Sequence, residues 1–141
     1  NDESILGVGK ANLIKNGCEY LIISIGPIIN EAIVAAELLS SEGISVAVAS
    51  MSSIRPLDES FLSNMVSRNF KKWITLEEHC FVGGLGSSIL EWLSDNNYFQ
   101  SVNLDRLGTG SEFINKLGNQ SFTRKMLGLD SESIINHIKQ K

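Results

Sequence analysis

At 141 residues the chain has the length of one ordinary domain, and a hydrophobic share of 43% is enough for a core of its own. Sixteen acidic against twelve basic residues give a net charge of -4, and apart from Lys71-Lys72 the basic residues are scattered, which argues against nucleic acid as a partner. No apolar run approaches the ~20 residues of a bilayer span and no signal-peptide layout opens the chain, so a cytoplasmic protein without a membrane partner is expected.

Cys18 and Cys80 are isolated, with no CxxC spacing and no histidine ladder, and read as reduced thiols without a metal site. Residues 1–9 are polar and contain glycine, as a linker or the tail of a preceding domain would; the folded domain is expected over 10–141. Residues 10–14, the pair Asn16-Gly17 and residues 20–25 then predict two strands joined as a hairpin, because Asn-Gly favours the positive backbone angles of a tight turn. The second strand is apolar almost throughout. Gly26-Pro27 closes it before a helix with Ile28, Ala32, Ala35, Ala36 and Leu39 at helical spacing, which Gly43 ends.

Residues 44–49 predict the next buried strand and 50–57 the loop after it. Asp58 is placed to cap a helix over 59–69 with Phe61, Leu62, Met65 and Val66 as its core stripe. Residues 73–76 form a short apolar strand, and 88–95 an amphipathic helix carrying Ile89, Leu90, Trp92 and Leu93. A last strand over 101–107 and a closing helix over 132–138, capped by Asp130 or Ser131, complete the order. Alternating strands and helices predict a three-layer α/β/α, Rossmann-like fold. Its sheet should have about five strands, mainly parallel, with the first strand as an antiparallel edge. The glycine-containing stretch after Gly108 is expected to be a functional loop or a docking surface.

The chemistry-bearing residues cluster in two loops. Glu77-Glu78-His79 pairs carboxylates with an imidazole, an acid–base combination, although adjacent loop residues rarely converge on one target. Gly83-Gly84-Leu85-Gly86-Ser87 leads into a helix and offers backbone amides to an anion. Gly84 and Gly86 form the start of a dinucleotide fingerprint, with Asp105 at a plausible distance. Ile89 stands where the third glycine belongs, and the motif sits on a late strand, so the dinucleotide reading fails. Arg55 in Ser53-Ile54-Arg55-Pro56-Leu57-Asp58 either grips an anion or pairs at the rim of the sheet. Arg55, Glu78, His79, Gly83, Gly84, Gly86 and Ser87 are therefore the candidate anion-binding or interface residues; no catalytic, cofactor-binding or metal-ligating residue is assigned.

Taken in order, these motifs resemble the C-terminal domain of the transketolase family of thiamine-diphosphate enzymes. The likeness runs from Lys10 onward, through Glu31-Ala32, Ala36-Glu37-Leu38-Leu39, the Arg55-Pro56-Leu57-Asp58 loop, Thr75-Leu76-Glu77-Glu78-His79, the Gly83-Gly84-Leu85-Gly86-Ser87 turn and Gly128-Leu129-Asp130. The resemblance implies a non-catalytic assembly domain of an enzyme that moves two-carbon ketol units between sugar phosphates. Thiamine diphosphate and a divalent metal would be held by partner pyrimidine- and pyrophosphate-binding domains, in a homodimer, and the isolated chain would be inactive. The Glu-Glu-His form looks most like transketolases and split transketolase subunits. The alternatives are a C-terminal domain of a 2-oxo-acid dehydrogenase beta chain or a deoxyxylulose phosphate synthase, or a small-anion-binding regulatory module.

Overall fold

A computed structural model of the chain describes residues 10–78, 84–108 and 130–140. Among them the strands are β1 (Ala11–Lys15), β2 (Tyr20–Ser24), β3 (Val46–Met51), β4 (Lys72–Glu77) and β5 (Leu104–Gly108), and the helices α1 (Ile29–Ser41), α2 (Glu59–Ser67), α3 (Leu85–Asp95) and α4 (Ser131–Lys139). The stretch expected to be a loop after Gly108 lies outside the described residues. The sheet runs β1-β3-β2-β4-β5, with β1 antiparallel to β3 and every other pair parallel. This is the expected α/β sheet with an antiparallel edge.

Strands β2, β3 and β4 are buried along nearly their whole length because helices cover both faces, which is why they read as apolar runs and not as alternations. On one face, Leu21, Ile23, Ala47, Ala49 and Trp73 meet Leu62 and Met65 of α2 and Leu85, Ile89, Trp92 and Leu93 of α3. On the other, Ile22, Val46, Val48, Ile74 and Leu76 meet Ala32, Ala35, Ala36 and Leu39 of α1 and Ile134 and Ile138 of α4. Leu90, placed in the apolar stripe of α3 by its spacing, instead faces solvent.

Caps tie these layers together. Asp58 does double duty: Oδ1 accepts from Phe61 N at 3.1 Å, capping α2, while Oδ2 accepts from Ala11 N at 2.9 Å and holds the edge strand. Asp130 caps α4 through Ser133 N at 3.0 Å, and Glu31 Oε1 of α1 accepts from Ser131 N at 2.9 Å, so the closing helix is fastened at its first turn to α1.

The expected hairpin does not form. β1 pairs with β3, and the chain crosses the start of β3 before entering β2 on its far side. Gly17 makes the crossing: a Cβ there would stand 2.4 Å from the Val46 carbonyl carbon and 2.5 Å from Ala47 N. Arg68 then clamps the crossing, donating from one terminal nitrogen to Asn16 Oδ1 at 2.9 Å and to the Gly17 carbonyl at 2.8 Å. Asn-Gly thus serves close packing on a neighbouring strand, not a two-residue turn. Because the obstruction is backbone that cannot rotate away, Gly17→Ala should lower stability by about 3 kcal/mol. Urea unfolding with an unchanged m-value would register the loss; an unaffected midpoint would show that the crossing can relax.

Candidate functional site

From the middle of the sheet, β2 leads through α1 to β3 on one side and β4 leads through α3 to β5 on the other, with α1 and α3 on opposite faces. The carboxyl ends of β2 and β4 therefore flank a topological switch point, where open α/β sheets form their ligand crevices. Glu77 ends β4 there and is 2% exposed. Its carboxylate turns back on the following helix, Oε1 accepting from Leu85 N and Oε2 from Gly86 N, each at 2.8 Å. The helix start that would welcome an external anion is thus occupied by one from the chain itself.

Gly86 sits directly against the sheet. A Cβ at this position would fall 2.8 Å from Thr75 Oγ1 and 2.7 Å from Arg106 Cδ, so α3 touches β4 and β5 only because the side chain is missing. The close helix–strand approach expected of a third glycine occurs one turn earlier than Ile89, which is fully buried in the core. Thr75 Oγ1 and, at the end of β2, Ser24 Oγ are buried without a hydrogen-bond partner among the described residues.

The residues proposed from sequence distribute as follows. Gly84 is the N-cap of α3, its carbonyl accepting from Ser88 N at 3.0 Å. Ser87 Oγ accepts from Arg106 at 3.2 Å, joining α3 to β5. Glu78 directly follows β4 and is partly exposed. His79 and Gly83 lie outside the described residues, as does Cys80. Arg55 is exposed on the loop after β3, before a cis peptide bond to Pro56. Since β2 lies between β3 and β4, the Arg55 loop and the glycine turn rise from strands two positions apart, about 10 Å at ordinary strand spacing.

Sequence reasoning missed a second polar cluster. Asp105 Oδ2 on β5 accepts from Lys72 Nζ at 2.9 Å and pairs with His137 Nε2 of α4 at 2.6 Å. Burial raises the Asp105 pKa, but the bonds from Lys72 and His137 together outweigh it and leave the carboxyl below its ordinary value. Lys72 lies two residues before Ile74, the residue opposite Asp105, so strand register was the available signal once β4 and β5 were paired. Asp105, weighed above only as part of a dinucleotide fingerprint, and His137 thus anchor the closing helix to the sheet.

The fold is a doubly wound α/β domain whose switch-point helix is capped by the glutamate that ends the preceding strand. The family described as "Transketolase, C-terminal domain" matches residues 9–134, and the chain belongs to it. It is 34% identical over its whole length to 22% of the 1-deoxy-D-xylulose-5-phosphate synthase of Parabacteroides distasonis. It is 38% identical over 94% of its length to 20% of the corresponding enzyme of Cytophaga hutchinsonii. Among solved structures, a split-gene transketolase in an inactive beta4 tetramer superposes with a TM-score of 0.80 at 26% identity, over 93% of this chain and 41% of that one. The chain spans about a fifth of the length of these curated relatives.

Two outcomes follow from this geometry. Glu77→Gln places an amide nitrogen against a helix N–H and should cost about 2–3 kcal/mol, the range for a lost hydrogen bond to a charged group; a urea midpoint within error of the parent would mean that the cap contributes little. Asp105 has a lowered folded pKa, so its contribution is complete above the unfolded value and is lost as pH falls through the folded one. The stability difference between the parent and Asp105→Asn should shrink as pH falls below about 4, where the carboxylate becomes protonated. Melts across that range would check it, a flat difference down to pH 2 being the contrary result.

Proposed function

We propose that this chain is the C-terminal assembly domain of an enzyme of the 1-deoxy-D-xylulose-5-phosphate synthase type. The observation that carries the reading is the run of relatives bearing that name, at 34–39% identity over 81–100% of the chain. The structural likeness to a split-gene transketolase, at 26% identity, supports the second reading: a C-terminal section of a transketolase that transfers two-carbon ketol units between sugar phosphates. Both readings give the domain the same work. The two packed faces leave strand ends and sheet edges for contacts with pyrimidine- and pyrophosphate-binding domains, and with a second copy in a homodimer. Within that arrangement the Arg55 loop and the rim around Gly84 and Ser87 serve as docking surface.

Thiamine diphosphate and its divalent metal belong to the other domains in this reading. The residues here do not fit them: Glu77 already holds the Leu85 and Gly86 amides, and no group of three His, Cys, Asp or Glu side chains suited to a metal occurs among the described residues. No chemical step is therefore assigned to this chain.

Domain exchange separates the two readings. Residues 10–141 would replace the matching region of the Parabacteroides distasonis synthase and, in parallel, of a split transketolase. The synthase chimera is expected to form 1-deoxy-D-xylulose 5-phosphate within about tenfold of its parent, a loss of no more than about 1.4 kcal/mol. Activity only in the transketolase chimera would transfer the assignment to the second reading. Tight calorimetric binding of thiamine diphosphate with magnesium to the 141-residue chain alone would overturn the non-catalytic role.

A further inference from the structure

The opposite end of the sheet carries a feature that the assembly role leaves unused. An open cleft of about 300 Å3 lies where β2 and β3 begin, lined by Asn16, Gly17, Cys18, Ser45 and Arg68. Among its lining residues Arg68 carries the one charge. Arg68 spends a single terminal nitrogen on Asn16 Oδ1 and the Gly17 carbonyl, both neutral, and has no ion-pair partner among the described residues. The guanidinium is held over the Phe70 ring, 5.2 Å from its centroid, which limits its freedom to swing away. Its Nε–H and second terminal nitrogen have no protein acceptor there.

The neighbours add donors. Asn16 Oδ1 accepts from both Gly17 N and Arg68, which orients the amide and leaves its NH2 group as the unspent end. Ser45 Oγ accepts from Cys18 N at 2.9 Å, leaving its hydroxyl proton to give. No carboxylate lines the cleft, and Glu19 nearby is committed to Ser45 N at 2.8 Å and Lys71 at 3.5 Å. Three donors on three separate segments, with no acceptor of matching charge, suit an oxyanion with several oxygens, and an arginine fork suits phosphate in particular.

We infer that this cleft binds a phosphate group, free or carried by a small phosphomonoester, through the Arg68 guanidinium, the Asn16 amide and the Ser45 hydroxyl. It is distinct from the carboxyl-end loops because Asn16, Ser45 and Arg68 lie ahead of the parallel strands β2, β3 and β4, at the opposite end of the sheet.

The test uses the 141-residue chain, titrated with inorganic phosphate and separately with glycerol 3-phosphate, each against sodium chloride at matched ionic strength. Saturable amide shifts are expected at Gly17, Cys18 and Ser45, together with several-fold slower alkylation of the exposed Cys18 thiol. Tighter binding of glycerol 3-phosphate would identify a phosphomonoester as the ligand, and equal binding would identify free phosphate. Shifts that chloride reproduces, or that never saturate, overturn the site. Arg68→Gln should abolish saturation but also loosens the crossing at Gly17, so Asn16→Asp is the decisive variant. It keeps an oxygen for Gly17 N and Arg68 while replacing the amide donor with a negative charge. The fold should hold and phosphate binding should fall at least tenfold; undiminished binding in Asn16→Asp would overturn the inference.

Discussion

The bond pair from Glu77 to the Leu85 and Gly86 amides determines how the carboxyl end of this sheet is built. A carboxylate 2% exposed has lost its water and persists only where strong donors replace that water. Two backbone N–H groups at the positive end of a helix meet the requirement, each group satisfying the other's unmet valence. Because Glu77 closes β4 and Gly86 opens α3, the contact draws helix onto strand at the switch point. The missing side chain of Gly86 then lets the backbone settle against Thr75 and Arg106. The helix start, whose amides could face a ligand, is thereby taken up in a joint between strand and helix.

With that joint made, both faces close. α2 and α3 seal one, and α1 and α4 seal the other. The closing helix is held by more than Ile134 and Ile138. Glu31 takes its first free amide, His137 reaches Asp105 on β5, and Lys139 meets Glu42, the C-cap of α1, at 2.6 Å. Asp105 also binds Lys72, so one carboxylate joins two strands and a helix from three distant parts of the chain. A domain closed in this manner presents its strand ends, loop tips and edge strands to the outside. The amino-end cleft around Arg68 lies on that outer surface.

What could be read along the chain was whatever is local. Continuous apolar runs marked β2, β3 and β4, helical spacing marked α1 and α2, and Asp58 and Asp130 announced their helices, because each signal arises from residues within a turn or a strand of one another. Motif order also sufficed to recognise the family, since short motifs keep their succession whatever the chain does between them. The start of α3 was placed three residues late because the helix begins at the buried Leu85 under the control of Glu77, outside the amphipathic stretch that periodicity detects.

Sequence by itself determined the element order, the parallel sheet, the antiparallel edge and the family, all products of short-range pattern and connectivity. Tertiary structure alone decided which strand β1 joins, what fills the glycine turn and what anchors the last helix. Asn-Gly signals a hairpin, yet Gly17 packs on the backbone of Val46 and Ala47, almost 30 positions away. Glu77 reads as one of two acidic loop residues, yet its partners lie eight and nine positions on. Asp105 and His137 stand 32 apart in sequence and 2.6 Å apart in space. Pairings of this kind are selected by burial and excluded volume in the assembled core, and those forces act only after the chain has folded back on itself.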